Sequence, residues 1–318
     1  MDEAIESSVI EGAVTTRELA VELLRSGRPP RTDGERMVAN NYAAMRQIKQ
    51  WLDRPLSAEM LCELQRIVTE STLRSPDQGG RFRRPDEPVA VTDDRTGAII
   101  FTPPPAAQLP KRIEALCRFA NDQHSGGEFI HPLAKACILH FMVGYDHPFV
   151  DGNGRTARAV FYWFALRCGY RAFEFMAISQ IIRAALARYP QAYLDTEHDD
   201  GDLTYFVFYK LGVIQRALQR LKEHLDEEEA RVEQSLRLVR LDRTLNLRQR
   251  LLLEHALRHP KTVYTAKSHA NSNGITTMTA RADLEHLRKR RLLNVFRAGR
   301  TMQYVLSPDL PGRLRPLA

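Results

Sequence analysis

Apolar residues recur at spacings of three and four along most of this 318-residue chain, and this period restricts the possible folds more than any other feature of the sequence. From Thr15 to about Leu73 it predicts a run of helices, in which Gly27 ends the first and Ser57 is the N-cap of another. Helical patterns resume after the three prolines at 103–105 and continue to about residue 240. The chain is therefore predicted to be mainly α.

A segment rich in Gly, Pro and Asp separates the two helical regions. Within it, two β-prone pieces, Val89 to Thr92 and Ala98 to Thr102, flank a turn at Asp93 to Gly97. This order predicts one exposed β-hairpin in an otherwise helical region.

Positive charge is concentrated in the last part of the chain. The net charge of +7 combines +11 for residues 243–318 with −4 for the rest. These residues show a helical pattern, a short middle piece, a second helical pattern and two strands around Gly299, which is the order of a winged helix-turn-helix. The charge makes DNA or an acidic partner a candidate ligand, with a solvated basic surface as the alternative.

If this part binds DNA, the start of its second helix would read the major groove and the turn between its strands would lie near phosphates. The residues predicted to make these contacts are Thr277, Thr279, Arg281, Arg297 and Arg300.

No stretch reaches the roughly 18 consecutive apolar residues that cross a bilayer, and the first residues lack the pattern of a secretion signal. We therefore expect a cytoplasmic protein without membrane association. The cysteines lack the spacing of a zinc site or a disulfide framework. They are predicted to be buried thiols: Cys62, Cys117, Cys137 and Cys168.

The run HPFVDGNGRTAR, at 147–158, concentrates several chemically distinct side chains. Gly152, Asn153 and Gly154 directly precede a helical pattern that reads as amphipathic, so backbone N–H groups and the positive end of a helix dipole form an anion site there. Arg155 and Arg158 lie three residues apart on the same helix and add two guanidinium groups, which suits a polyphosphate better than a single phosphate.

Two further residues of the run suggest what happens to that polyphosphate. Asp151 would place a carboxylate beside the phosphates, where it could hold Mg²⁺. His147 has a side chain whose pKa suits removal of a proton from an attacking hydroxyl. The spacing therefore indicates transfer of a phosphate-bearing group from a nucleotide to a hydroxyl.

Together these residues resemble the signature of Fic domains, His-Pro-Phe-x-(Asp/Glu)-Gly-Asn-Gly-Arg-x-x-Arg, with every fixed position present. The nearby segments GGRFR, FTPPP and HPLAKACILHFMVGYD also look like the core of that family. The resemblance implies a helical core that transfers AMP from ATP to Ser, Thr or Tyr hydroxyls of a target protein and releases pyrophosphate. It implies that His147 is the base, that Asp151 binds Mg²⁺ and that 152–154 with Arg155 and Arg158 bind ATP.

The resemblance also implies a role for the hairpin, which is called the flap in this family and holds the target by main-chain pairing. An exposed strand edge can accept such a strand. Without the resemblance, a purely structural hairpin would be the simpler interpretation. The predicted target-binding residues are Ala98, Ile99, Ile100, Phe101 and Thr102.

The segment SSVIEG near the N-terminus resembles the inhibitory motif of the same family, (Ser/Thr)-x-x-x-Glu-(Gly/Asn), through Ser7, Glu11 and Gly12. Taken alone, the pattern is typical of a helix end with a solvated glutamate. In this context, the Glu11 carboxylate could pair with Arg158 and occupy the fork that the γ-phosphate needs. Two roles of Glu11 are therefore open. It could restrain AMP transfer, or it could position a water that removes AMP from a modified target.

The predicted organisation is an N-terminal helical region with the inhibitory motif at 1–75, a Fic core with its flap at 76–225, a helical linker at 226–242 and a winged-helix-like domain at 243–318. Alternatives to AMP transfer are transfer of UMP, phosphocholine or phosphate, and DNA-binding regulation through 243–318. Self-modification is a further expectation. The intact glycines of the Gly-Asn-Gly turn argue against phosphate transfer.

Overall fold

Helices account for most of the described chain in the computed structural model, which covers residues 1–92, 99–121, 129–199, 201–299, 301–308 and 310. The chain divides into two units, Met1–Leu221 and Lys222–Ala318. Among the described residues, no helix combines the length and the apolar composition that a membrane span needs.

The first unit is helical apart from one hairpin. Predicted helix ends are confirmed at Gly27, which has a φ of 67° after α2, and at Ser57, whose side chain accepts a hydrogen bond from the N–H of Met60. The helices of this unit are α1 (Asp2–Ile10), α2 (Arg17–Ser26), α3 (Asp33–Gln50), α4 (Ala58–Val68), α5 (Leu109–Asn121), α6 (Pro132–Asp146), α7 (Asn153–Arg167), α8 (Ile178–Ala184), α9 (Arg188–His198) and the first part of α10 (Thr204–Leu241).

Helix α7 is the centre of this unit and packs against α6, α3 and α4. The sequence suggested an amphipathic helix, but residues 155–166 are all buried, so α7 is surrounded by protein on every side. Trp163 illustrates this packing, because it is fully buried and its indole N–H donates to the carbonyl of Trp51. The start of α7, where the anion site is predicted, is thereby held on a rigid core element.

The predicted hairpin is present as β1 (Val91–Thr92) and β2 (Ile99–Phe101), which pair antiparallel. Its register sets Val91 opposite Phe101 and Thr92 opposite Ile99. The ring of Phe101 packs 5.1 Å from that of Tyr145 on α6, which attaches the hairpin to the core. The predicted turn and Ala98 lie outside the described residues.

The second unit has its own apolar core, to which Leu236 and Val239 of α10 contribute, so the predicted linker at 226–242 belongs to a helix that is partly buried. The short middle piece is a helix that the sequence analysis missed, with Thr265 as its N-cap. The elements after α10 are α11 (Leu247–Arg258), α12 (Ala266–Asn273), α13 (Thr277–Lys289), β3 (Leu293–Ala298) and β4 (Thr301–Leu306).

The prediction of four buried thiols is wrong in part. Cys137 is buried, Cys62 and Cys117 are half-buried, and Cys168 is exposed. Cys168 caps the C-terminus of α7, so it has already left the buried part of that helix.

Candidate active site

The site begins where α6 ends. His147 is the C-cap residue of that helix and has a φ of 44°, a left-handed conformation that costs a non-glycine residue about 1–2 kcal/mol. Its imidazole Nδ1 lies 3.2 Å from the carbonyl oxygen of Gly144. Since a carbonyl only accepts, Nδ1 is the donor, and Nε2 keeps its lone pair. The atom that can take a proton from a substrate is therefore Nε2.

The surroundings of His147 keep it neutral. Burial and, to a smaller extent, the charge of Arg83 lower the pKa of the imidazole, and together they outweigh the hydrogen bond to Gly144 and the negative charges of Glu11 and Asp151, which raise it. The net pKa lies below the ordinary 6.5. A neutral imidazole near pH 7 is the form that a general base requires.

The loop between His147 and α7 is closed by Asn153. Its side-chain oxygen accepts from the N–H of Phe149 at 2.9 Å, and its Nδ2 donates to the carbonyl of Phe149 at 2.8 Å. Gly152 has a φ of 85°, and a Cβ there would lie 2.6 Å from the Thr69 side chain, so glycine is needed for both reasons. Asn153 therefore shapes the anion site with its side chain and can offer only its backbone N–H to a ligand.

The first α-helical bond of α7 runs from the N–H of Thr156 to the carbonyl of Gly152, at 2.9 Å. By helix geometry, the N–H groups of Asn153, Gly154 and Arg155 precede this bond and point out of the helix end. The structure thus has the helix N-terminus that the sequence predicted at this position, with its positive dipole end directed at the site.

Helix α4 supports the loop through a residue that the sequence analysis missed. The Gln65 side chain accepts from the N–H of Gly80 at 2.6 Å and donates to the carbonyl of Asp151 at 3.1 Å. The available signal was the position of this glutamine on the apolar face of α4, where it is fully buried and therefore needs hydrogen-bond partners. Arg155 is buried beside it and donates to the carbonyl of Val68 at 2.6 Å. Its other contact is Asp151, at 3.4 Å, so its role as a phosphate clamp stays a prediction.

Glu11 lies directly on the anion site. Helix α1 ends at Ile10, and Gly12 turns the chain with a φ of 86°. The Glu11 carboxylate oxygen Oε1 is 3.0 Å from Nη2 of Arg158. A Cβ on Gly154 would lie 2.3 Å from the same oxygen, so the carboxylate rests against the first turn of α7.

The Glu11–Arg158 pair is ionised on both sides. Burial alone would raise the pKa of Glu11, but the positive charges of Arg158 and Arg155 and the hydrogen bond from Arg158 reverse this and lower it. For Arg158, burial lowers the pKa, but the charges of Glu11, Tyr189 and Glu3 and the hydrogen bond to Glu11 together outweigh that effect and raise it. The Glu11 side chain is 25% exposed, whereas that of Arg158 is 1% exposed.

Ser7 completes the contact between α1 and Arg158. Its hydroxyl accepts from Nε of Arg158 at 2.7 Å, and its carbonyl accepts from Nη2 at 3.0 Å. The structure thus brings Ser7 and Glu11 together on one guanidinium, across more than 140 residues of sequence.

We expect Ser7→Ala to destabilise the first unit by about 1–3 kcal/mol, because Nε of the buried Arg158 loses its acceptor. Thermal unfolding of the full chain, followed by circular dichroism, measures this change. Ser26→Ala is the matched control, since that serine is exposed and its loss should change stability by less than about 0.5 kcal/mol. Equal unfolding temperatures for the two variants would contradict the expectation.

Asp151 is the one predicted metal ligand, and its side chain is 50% exposed. Its Oδ1 accepts from the N–H of Gly152. Within the described residues, no group of three or more His, Cys, Asp and Glu side chains could hold a metal by themselves. One accessible carboxylate beside an anion site fits an ion that arrives with its phosphates, as Mg²⁺ does with ATP.

The fold and this site define a class of protein. Residues 55–165 match the family model described as Fic/DOC family, and this part of the chain is a Fic/DOC domain. Over 95 residues the chain is 38% identical to the protein adenylyltransferase Fic of Drosophila melanogaster and of Drosophila sechellia, and 36% identical to that of Drosophila virilis. The matched segment is 30% of this chain and spans 17% of the length of those relatives.

Solved structures extend the likeness in fold. A Fic family protein from Desulfovibrio desulfuricans superposes with a TM-score of 0.62 at 19% identity, over 96% of this chain and 87% of that one. A Fic domain containing signaling protein from Bacteroides thetaiotaomicron gives 0.56 at 22%, over 69% and 83%. The predicted mainly α fold with a Fic-type core is thereby confirmed. The winged-helix assignment of the second unit stays a prediction.

Proposed function

We propose that this protein is an adenylyltransferase that moves AMP from ATP to a Ser, Thr or Tyr hydroxyl of a target protein, and that Glu11 restrains it. One observation carries the proposal: the Glu11 carboxylate lies on Arg158 and against Gly154, where the helix N-terminus favours an anion. A site that holds a carboxylate in this way is built to hold a phosphate once the carboxylate leaves. The names of the Drosophila relatives support AMP as the transferred group.

In the proposed reaction, the phosphates of ATP bind the N–H groups at the start of α7, and Arg158 pairs with the terminal phosphate. The hydroxyl oxygen of the target attacks the α-phosphorus while Nε2 of His147 accepts its proton. The bond from the α-phosphorus to the bridging oxygen breaks, and pyrophosphate leaves with that electron pair. Asp151 and the phosphates would hold Mg²⁺, which neutralises phosphate charge when bound.

The target would bind along the flap. Ile99 is 66% exposed, and within the described residues the hairpin has two strands, so the outer edge of β2 can accept an extended segment of another protein. Ile100 and Phe101 continue this strand, and Thr102 follows it directly. Main-chain pairing of this kind places a target hydroxyl without requiring one particular target sequence.

The first test incubates the full chain with Mg²⁺ and ATP labelled at the α-phosphate, alone and with cell lysate. Label on the chain itself would reveal self-modification, and label on another protein would reveal a target. If α-label is absent, γ-labelled ATP and α-labelled UTP distinguish phosphate and UMP transfer. Loss of label from a premodified target would indicate AMP removal.

We expect the acid limb of the transfer rate to lie below pH 6.5, because burial lowers the pKa of His147 and the base must be neutral. The rate therefore falls as the pH drops through the folded pKa, which lies below 6.5. Glu11 is among the groups that raise this pKa, so Glu11→Gly should move the limb further down. Values of kcat/KM between pH 5 and 8 report the pKa of the free enzyme and test this, and an inflection above 6.5 would contradict it.

A second function, binding of duplex DNA by the second unit, is favoured by exposed groups on α13 and β3. Thr277, Thr279, Arg281 and Arg297 are all exposed, whereas Arg300 lies outside the described residues. About four phosphate contacts would weaken binding roughly 100-fold between 50 and 200 mM salt.

Fluorescence anisotropy of labelled duplex DNA with the full chain measures this dependence. Arg281→Ala and Arg297→Ala should each reduce the slope by about one. Arg25→Ala, an exposed arginine of the first unit, should leave it unchanged. Binding that ignores salt would exclude this function.

A further inference from the structure

Arg83, in the GGRFR segment, is buried and contacts the backbone of His147. Its Nε donates to the carbonyl of His147 at 2.8 Å, and its Nη2 donates to the carbonyls of Asp146, at 3.4 Å, and Pro104. Its own backbone N–H donates to the carbonyl of Pro148 at 2.9 Å. One residue therefore contacts the backbone at three consecutive positions, 146–148, and at one distant position.

The backbone at 146–148 needs hydrogen-bond partners from outside helix α6. Helix α6 ends at Asp146, so the last carbonyls there have no partner within the helix. His147 adopts its left-handed φ of 44° in the same place, a conformation that persists only when surrounding contacts hold it. The neighbouring ring of Phe82 packs 5.3 Å from that of Phe149, which anchors the far side of the loop.

The fourth acceptor, the carbonyl of Pro104, lies just after the flap hairpin. Pro104 follows the last residue of β2, Phe101, by three residues, so its carbonyl marks the point where the hairpin rejoins the core. The guanidinium of Arg83 thus holds the root of the flap and the backbone of the base at once. A guanidinium has several N–H donors spread over a plane, so it can bond acceptors on two separate segments at once. The ammonium group of a lysine is a compact point charge and cannot span them in the same way.

We propose that Arg83 is the positioning residue that fixes the His147 imidazole relative to the flap, and so sets the distance between the base and a target hydroxyl. The proposal rests on the proposed AMP transfer for its kinetic consequence. Its structural consequence, the placement of the His147 ring, is independent of any activity. Arg83 is the second arginine of GGRFR, so the proposal gives this sequence segment a function of its own.

The test compares Arg83→Lys and Arg83→Gln with Arg84→Gln in the full chain. Arg84 is the exposed neighbour, which makes it the matched control. All variants carry Glu11→Gly, so that the restraint does not mask transfer. Turnover number and KM for ATP are measured, together with ATP affinity by calorimetry. Separately, histidine labelled with ¹³C at Cε1 reports the ten imidazoles by NMR, and His147→Ala identifies the signal of that ring.

We expect the turnover number to fall roughly 100-fold in Arg83→Gln and about tenfold in Arg83→Lys, since a small displacement of a base has effects of this size. ATP affinity and KM for ATP should stay within about twofold, because Arg83 does not contact the predicted ATP-binding groups. The His147 ring signal should shift or broaden in both variants and stay in place in Arg84→Gln. If Arg83→Gln does not fold, the folded Arg83→Lys protein decides.

Turnover within twofold of the parent and an unmoved His147 signal in folded Arg83→Lys would overturn the proposal. So would an equal loss of ATP affinity and turnover, because that result means general damage to the site. If no variant and no parent transfers AMP, the proposed function fails by itself. A moved His147 signal in that case still supports Arg83 as the residue that positions this ring.

Discussion

His147→Ala abolishes AMP transfer in the Glu11→Gly background, with an expected loss of at least about 1000-fold. Removing a general base costs roughly 100- to 10,000-fold, and the upper part of this range applies when no other group can take the proton. The His147 ring has Nδ1 committed to the carbonyl of Gly144 and Nε2 available. We expect ATP affinity to change little, because the proposed phosphate site is the start of α7 and not the His147 ring.

The measurement is the initial rate of α-label incorporation at pH 7.5, with ATP affinity determined by calorimetry on the same samples. His198→Ala is the matched control, since His198 is exposed at the end of α9 and should not affect the rate. A residual rate within tenfold of the parent, in a folded His147→Ala protein, would remove His147 from the reaction. Another base would then have to be sought.

Glu11→Gly is expected to raise AMP transfer by roughly 10- to 100-fold. The carboxylate forms a charge-assisted bond with Arg158 and touches the first turn of α7, and a phosphate cannot occupy that space at the same time. Displacing a contact of about 1.4–2.8 kcal/mol accounts for a change of this size. Glycine is compatible with the C-cap position, so the variant should retain α1.

Glu11→Gln separates charge from bulk in the same assay. The amide fills the same space and can still accept from Arg158, but without the ion pair, so its rate should fall between those of the parent and Glu11→Gly. Equal or lower transfer in Glu11→Gly than in the parent, with both proteins folded, would refute the restraint. If Glu11→Gly instead slows loss of AMP from a premodified target, Glu11 serves the removal reaction.

The sequence by itself predicted the core of the proposed site, because its parts lie within twelve consecutive residues, 147–158. A glycine turn followed by a helix brings backbone N–H groups to one point through local geometry alone. The mainly helical fold and the two strands of the hairpin followed equally from local periodicity. Glu11 was predicted from a motif, and the structure places its carboxylate on Arg158 as that prediction requires.

Only the tertiary structure decided which partners each side chain has. Arg155 donates to the carbonyl of Val68, and Gln65 and Arg83 hold the loop from elements far away in sequence. Helix α7 is buried on every side because other helices surround it, and the spacing of its own apolar residues does not predict this. Local spacing predicts which face a side chain takes, whereas the group it meets depends on long-range packing. That packing brings Glu11 to Arg158 and Arg83 to the backbone of His147.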